Sequence, residues 1–224
     1  MTDHPRLVVF DVDGTLIDSQ NHIVAAMQYA FDAGGHVLPP RDVVLSIVGL
    51  SLPEAVAQLV PDLPAEAQSG IVAAYKQSFG KLRAGTLSPL FPGAADALGR
   101  LLGRPDFLLG IATGKSRRGL DHILAAHDLA GYFATAQVAD DHPSKPHPAM
   151  LLSALAETGA RATNAVMIGD TTYDIEMGRA AGMATIGVSW GYHRAEALIA
   201  AGAGQVIHDF EALLPALDRV WEVA

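Results

Sequence analysis

The chain contains no cysteine. Disulfides, thiolate zinc sites and a cysteine nucleophile are therefore excluded. Aromatic residues are few, at 6%, and basic residues are outnumbered, with 15 Lys and Arg against 24 Asp and Glu for a formal net charge of -9. Such a balance opposes binding to nucleic acid or to an anionic membrane, both of which want a basic face, so neither partner is expected. It does not exclude a small anionic substrate held by a few locally gathered cations. No apolar run approaches the ~20 residues of a membrane span. The leading MTDHPR is polar and lacks the apolar core of a signal peptide, and a soluble cytoplasmic protein is expected. What the chain does have is 50% hydrophobic residues over 224 positions, enough for one large domain or a domain with an insertion.

One stretch organises the rest: Leu7 to Ser19, LVVFDVDGTLIDS. Four apolar residues, Leu7 to Phe10, read as a short buried strand that runs straight into Asp11-Val12-Asp13-Gly14-Thr15. Side chains alternate along an extended chain, so Asp11 and Asp13 leave the strand end on the same side. Gly14 then permits a turn. Two converging carboxylates repel each other and, when ionised, only accept hydrogen bonds. They make chemical sense around a hard cation such as Mg²⁺, which takes carboxylate oxygen and keeps positions for water and phosphate.

After Ser19 the apolar spacing becomes helical, at Ile23, Ala26, Met27, Ala30 and Phe31, with Asp18 or Ser19 available as cap. Gly34-Gly35 ends this helix. From Pro39 to about Arg83 the pattern predicts only helices, roughly Arg41 to Ile47, Leu52 to Val60 and Pro64 to Leu82. A Pro- and Gly-punctuated linker, TLSPLFPG, begins at Thr86. Beyond it strands and helices alternate. Strands are predicted at Phe107 to Ala112, Phe133 to Val138, Ala165 to Ile168, Ala184 to Val188 and Gln205 to Ile207. Helices are predicted at Ala94 to Leu102, Ser116 to Ala126, Pro146 to Thr158, Thr172 to Ala181, Ala195 to Ala200 and Phe210 to Val220. Such alternation implies a parallel sheet covered on both faces. The expected fold is α/β: a three-layer, Rossmann-like parallel-sheet core, residues 1–16 and 89–224, with an all-helical block, residues 17–88, inserted after the first strand.

Ligands of open parallel sheets bind beyond the carboxyl ends of the strands. Just past the first strand stand Asp11 and Asp13. Past the second stand Thr113, Gly114 and Lys115, and past the third Asp140, Asp141, His142 and Lys145. Past the fourth come Gly169, Asp170, Thr171, Thr172, Tyr173 and Asp174. Carboxylates, a hydroxyl, a lysine and glycines that expose backbone amides suit a phosphate together with a divalent metal.

With these motifs in view, the chain resembles the haloacid dehalogenase-like superfamily of phosphohydrolases, in its phosphoglycolate-phosphatase-like branch. The resemblance covers almost the whole chain. It rests on DVDGT at Asp11 to Thr15, Thr113 after an apolar strand, Lys145 in KPHP, and GDTTYD at Gly169 to Asp174, in the family's order. It implies that Asp11 is a nucleophile forming an aspartyl-phosphate, a role carboxylates can fill. It implies that Asp13 is general acid and then general base. Mg²⁺ would be held by the Asp11 carboxylate, the Asp13 main-chain carbonyl and Asp170, with Asp174 supporting that shell and Lys145. Thr113, Gly114 and Lys145 would contact phosphoryl oxygens. The dehalogenase branch lacks the second acid of the first motif, so Asp13 favours phosphate chemistry.

The helical block resembles the cap of this branch, which implies a small phosphorylated metabolite as substrate, with 2-phosphoglycolate as first guess; a monomer or homodimer is expected, the sequence favouring neither. Arg41, Lys76, Lys81 and Arg83 are the cations of that block, each read as a solvated position. The segment Val48 to Glu54 resembles the cap loop that faces the core; β-phosphoglucomutases place an Arg there, and this chain has none. That departure counts against a phosphosugar mutase, the first alternative. A pyrophosphate or nucleotide phosphatase is the second, and a non-enzymatic binding module the third, opposed by the presence of Asp13. His142, His147, Asp140, Asp141, Arg117 and Arg118 are read as polar surface, and Trp190, Tyr192 and His193 as packing. Ser19 and Ser116 have no histidine partner by spacing, so a serine hydrolase is not supported.

Overall fold

The fold was determined as a computed structural model that describes residues 5–85 and 87–222, the side chains of 79–85 excepted. In chain order it contains β1 (Arg6–Phe10), then α1 (Gln20–Ala33), α2 (Arg41–Ser46), α3 (Leu52–Leu59) and α4 (Ala65–Gly85). The alternating region follows: α5 (Ala94–Leu102), β2 (Phe107–Thr113), α6 (Arg117–Ala126), β3 (Thr135–Val138), α7 (Ala149–Thr158), β4 (Ala165–Gly169), α8 (Thr172–Ala180), β5 (Ala184–Val188), α9 (Ala195–Ala200), β6 (Gln205–Ile207) and α10 (Leu213–Glu222).

The six strands form one sheet in the order β3-β2-β1-β4-β5-β6, with every neighbour parallel. β1 sits in the middle, Leu7 standing opposite both Leu108 and Ala165. A strand covered on both faces reads as an unbroken apolar run rather than an alternation, which is why LVVF is uniformly buried. Its side chains nevertheless divide by parity. Leu7 and Val9 join Met150, Leu151 and Ala154 of α7 and Met177 of α8 in one apolar cluster. Val8 and Phe10 join Leu98 and Leu101 of α5, Leu120 of α6 and Leu217 of α10 in the other. Two helical layers thus enclose the sheet. Successive strands run to one side of β1 through β3 and to the other from β4, so the order reverses between β1 and β4. The crevice at the carboxyl ends beside such a reversal is where ligands bind in this class of sheet.

The helices α1 to α4 have an apolar cluster of their own, including Met27, Phe31, Val44, Val56 and Ile71. Ile17 and Leu90 pair antiparallel where the chain leaves and re-enters the sheet region. Asp18 N donates to Pro89 O at 2.9 Å and Phe91 N to Leu16 O at 2.9 Å, so the two crossings are tied together.

Three local differences from the sequence-based expectation have clear causes. α7 begins at Ala149 rather than Pro146, because Ser144 to His147 closes a turn first, with His147 N on Ser144 O at 3.1 Å. α10 begins at Leu213 rather than Phe210, because Phe210 is occupied in the core and Asp209 Oδ1 accepts the Ala212 amide at 2.9 Å. Ser19 stands at the N-cap of α1 without capping it, since its hydroxyl is spent in the site described next.

Candidate active site

The β1 ladder extends one residue past the strand: Asp11 N donates to Ile168 O at 2.9 Å. This bond fixes the Asp11 backbone between β2 and β4 and buries its carboxylate at the sheet edge. Val12 turns into the core, and its carbonyl accepts from Leu16 N and Ile17 N at 3.0 and 2.9 Å, so the loop closes tightly. Gly14 has φ +83°, and a Cβ there would strike Asp170 and come within 2.6 Å of Tyr192. Glycine is thus required by both backbone and neighbours.

Oxygens of Asp11, Asp170 and Asp174 lie within 4.8 Å of one another. Lys145 is buried among them, its Nζ 2.9 Å from Asp11 Oδ1 and 2.6 Å from Asp174 Oδ1. Asp174 is fixed by α8: its Oδ2 accepts from Thr171 N at 3.1 Å and Thr171 Oγ1 at 2.7 Å in a capping box. Asp170 Oδ1 accepts from Thr15 Oγ1 at 2.9 Å, and its Oδ2 from Tyr192 N at 2.8 Å. Neither Asp11 oxygen receives a hydrogen bond of good geometry among the described residues.

The electrostatics follow from this crowding. Burial pushes the Asp11 carboxyl up to about 7, with Lys145 opposing and Asp174 and Asp13 adding to the rise. Burial, then Asp174 and Asp11, push Asp170 well above the usual carboxylate range. Burial works against the charge on Lys145, but Asp11 and Asp174 outweigh it and hold the ammonium above its ordinary value. Three buried carboxyl groups thus face one ammonium, and burial together with the negative charge that Lys145 cannot pair drives Asp11 and Asp170 toward holding a proton. The donor set is all oxygen, buried and preformed, with Asp11 Oδ1 ion-paired to Lys145 and Asp11 Oδ2 accepting no hydrogen bond among the described residues. These residues fit a hard divalent cation.

Asp13 points elsewhere. Lys115 Nζ donates to its two oxygens at 2.6 and 2.7 Å, and Ser19 Oγ donates to Oδ1. The Tyr192 hydroxyl lies 3.0 Å from Ser19 Oγ, completing a chain of polar groups. Burial, then Asp13, push the Tyr192 phenol far above its usual value, so it stays neutral here. Thr113 is buried, with Oγ1 accepting from Lys115 N at 3.3 Å. Gly114 lies against the main-chain carbonyls of Gly49 and Leu50.

A cavity of about 640 Å³ opens over this floor. Asp11, Asp13, Thr113 and Gly114 line it from the sheet, and Val48 and Lys76 from the helical block. Lys145, Asp170 and Asp174 lie beneath, so all seven residues singled out in the sequence come together. The reading of Val48 to Glu54 as a core-facing loop agrees with its place in the lining and with the 2.8 Å bond from Ser51 N to Ser144 Oγ. Four residues were not anticipated. Lys115 stood only among the polar residues past the second strand, with no partner assigned, Ser19 was read as a cap and Tyr192 as packing, and Thr15 had no assigned contact. Arg118 is exposed, as read, and also lines the cavity; the Arg117 side chain is 43% exposed while its Nη2 donates to Ala136 O at 2.7 Å. Arg41 faces Gln20 and Asn21 instead, and the side chains of Lys81 and Arg83 lie outside the described residues. Trp190 does pack as read, 4.7 Å from Phe210 between ring centroids.

A parallel α/β sheet with buried acids, a lysine and a cavity at its strand ends defines an enzyme that handles phosphate esters. The chain belongs to the haloacid dehalogenase-like hydrolase family, whose model matches residues 8–188. It is 36% identical over 94% of its length to a probable phosphatase, IndB, of Dickeya dadantii, covering 92% of that protein. It is 31% identical to a phosphoglycolate phosphatase of Salmonella choleraesuis, covering 95% of this chain and 92% of the relative. A pyrophosphatase, PpaX, of Bacillus pumilus is 34% identical over 85% of the chain and 86% of its own length. Among solved structures, a hydrolase from Pseudomonas syringae superposes with a TM-score of 0.84 at 26% identity, covering 96% of this chain and 98% of that one. The chain is thus a hydrolase of this family, and the relatives reported above are named as phosphatases and a pyrophosphatase. No helix among the described residues is long and apolar enough to cross a membrane.

Proposed function

We propose that the protein hydrolyses a small phosphate monoester through an aspartyl-phosphate on Asp11, with Mg²⁺ as its metal and 2-phosphoglycolate as the first substrate to test. The observation that carries this reading is Asp11 itself: a buried carboxylate on the cavity floor whose oxygens accept no hydrogen bond of good geometry. A structural aspartate at that depth would have its oxygens satisfied. Lys145, 2.9 Å away, favours the ionised form of Asp11 against the effect of burial.

In this reading an Asp11 oxygen attacks phosphorus and the bond to the leaving oxygen breaks. Asp13 gives that oxygen a proton, and the alcohol departs. Asp13 then takes a proton from the incoming water, whose oxygen attacks phosphorus and frees phosphate and the Asp11 carboxylate. The Asp11 and Asp170 carboxylates and the Asp13 main-chain carbonyl would hold the Mg²⁺, and Asp174 would support them. When bound, the ion supplies charge neutralisation for the phosphoryl oxygens. Thr113, the Gly114 amide and Lys145 orient those oxygens. Residues 17–88 act as a cap over the core formed by 1–16 and 89–224, excluding water and reading the leaving group. The cavity volume of about 640 Å³ and the net charge of -9 favour a small metabolite over a macromolecule.

The test is phosphate release with Mg²⁺ across 2-phosphoglycolate, sugar phosphates, nucleotides, pyrophosphate and a generic aryl phosphate, with Asp11→Asn as blank. A sharp preference names the substrate. Release from none of them defeats the reading.

A further inference from the structure

We infer that Lys115 is the positioning residue for Asp13: it clamps the carboxylate that the phosphatase reading makes the proton donor and acceptor. The inference rests on that reading.

The contact is a built one. The Lys115 side chain is 7% exposed, and Nζ reaches both Asp13 oxygens, at 2.6 and 2.7 Å. The lysine is fixed at its root as well. Its amide donates to Thr113 Oγ1 at 3.3 Å, and its carbonyl accepts from Ala139 N at 3.0 Å, so the loop after β2 is tied to the loop after β3. Ser19 holds Asp13 from the opposite side, and Tyr192 stands behind Ser19.

A lone ionised carboxylate on the short loop after β1 would be repelled by Asp11 and free to rotate. An ammonium bridging its two oxygens removes that freedom and sets where the carboxylate stands at the cavity wall. Charge-assisted bonds to both oxygens do this more firmly than the single hydroxyl of Ser19. Lys145 has a separate task between Asp11 and Asp174. The two buried lysines therefore divide the work: one serves the phosphoryl-accepting group, the other the proton-transferring group.

This division predicts a leaving-group signature. Lys115→Met keeps the stem and removes the ammonium. An alkyl phosphate needs a proton on its leaving oxygen, whereas a nitrophenyl phosphate does not. General acid catalysis contributes about 10²–10⁴-fold, so kcat/KM of the variant on an alkyl phosphate should fall by about 30-fold or more. On nitrophenyl phosphate kcat/KM should stay within about threefold. On the same ester kcat should drop, with a burst of nitrophenolate, because breakdown of the covalent intermediate still needs Asp13. A double-mutant cycle completes the test. In an Asp13→Asn background, Lys115→Met should cost the alkyl ester no more than about threefold further. Lys115→Gln should give the same pattern with a smaller loss, and serves where the methionine variant does not fold. Equal losses on both esters, no loss, or additive losses in the cycle would overturn the inference while leaving the phosphatase reading intact. Failure of the wild type on both esters would remove the two together.

Discussion

Gly114→Ala should open the site without unfolding the protein. Gly114 has no positive φ, so alanine brings no backbone strain. Its new Cβ would instead stand 2.7 Å from Gly49 O, closer still to Leu50 O, and 3.0 Å from the Leu50 carbonyl carbon. These are main-chain atoms of the loop that brings the helical block onto the sheet, and they cannot swing aside as a flexible side chain would. Restoring ordinary contact requires the loop to retreat by roughly 1 Å, and misplacement on that scale costs about 10²-fold where reacting groups must be aligned. We expect kcat/KM to fall about 10- to 100-fold on that ground. Stability should fall by only about 1–3 kcal/mol, the usual range for overpacking. Gly99→Ala in α5 is the control, because nothing lies within 4 Å of the added Cβ. That variant should melt at or slightly above the wild-type temperature and keep full activity. Steady-state kinetics and melting curves of the two variants decide the matter. If Gly114→Ala kept kcat/KM within about twofold of wild type, close approach of the loop to Gly114 would have no part in turnover.

Three further outcomes follow from the geometry. Asp11→Asn should abolish phosphate release while the metal-free protein melts no lower than wild type, since a strained buried charge is removed; near-wild-type release would take Asp11 out of the nucleophile role. Metal-free stability should fall as pH rises. The Asp11 carboxyl goes from 3.8 to about 7 on folding, so between those values the folded chain holds a proton that the unfolded chain has released. The loss is at most about 4 kcal/mol. Urea unfolding of wild type and Asp11→Asn at pH 5 and pH 7.5 isolates it, and a wild-type slope that is flat or rising relative to the variant would contradict the assignment. Phe31→Ala in α1 should cost about 3–5 kcal/mol of stability, because Phe31 is fully buried in the cluster of the helical block; a loss under 1 kcal/mol by denaturant titration would show that this cluster is not well packed.

The acids of the site were legible in the sequence because each follows an apolar run and a strand end has only one edge at which to gather them. Asp11, Thr113 and Asp170 could be placed by that rule alone, and the sheet order brings β1, β2 and β4 side by side. The pairing of Lys115 with Asp13 was not legible. By spacing that lysine is the charged residue before a helix N-cap, and its burial depends on a loop that folds back toward β1. Ser19 misled for a related reason. A serine before an amphipathic run signals a cap, yet here Asp13 competes for the same hydroxyl and wins. Tyr192 meets the site across 173 positions of sequence separation from Ser19, a distance at which local pattern carries no information. The chain's periodicities report which face is buried; they do not report which polar group a hydroxyl or ammonium will choose.

The charge balance explains why the site divides as it does. Asp13 and Lys115 form a pair that is neutral as a unit. On the other side of Asp11, Lys145 is the buried ammonium beside Asp11 and Asp174, and Asp170 stands near with only neutral donors on its oxygens. The unbalanced negative charge therefore collects entirely on the Asp11–Asp170–Asp174 side. Burying it raises the Asp11 and Asp170 carboxyls, so the metal-free fold is under an electrostatic load that a bound divalent cation would lift. In the proposed mechanism proton transfer falls on the opposite, neutral side, where a cation would have no excess charge to meet. Had the clamp on Asp13 been absent, four carboxylates would face one lysine, and a cation would be drawn toward the acid that has to move protons. On that reading Lys115 separates the two functions proposed for Asp11 and Asp13.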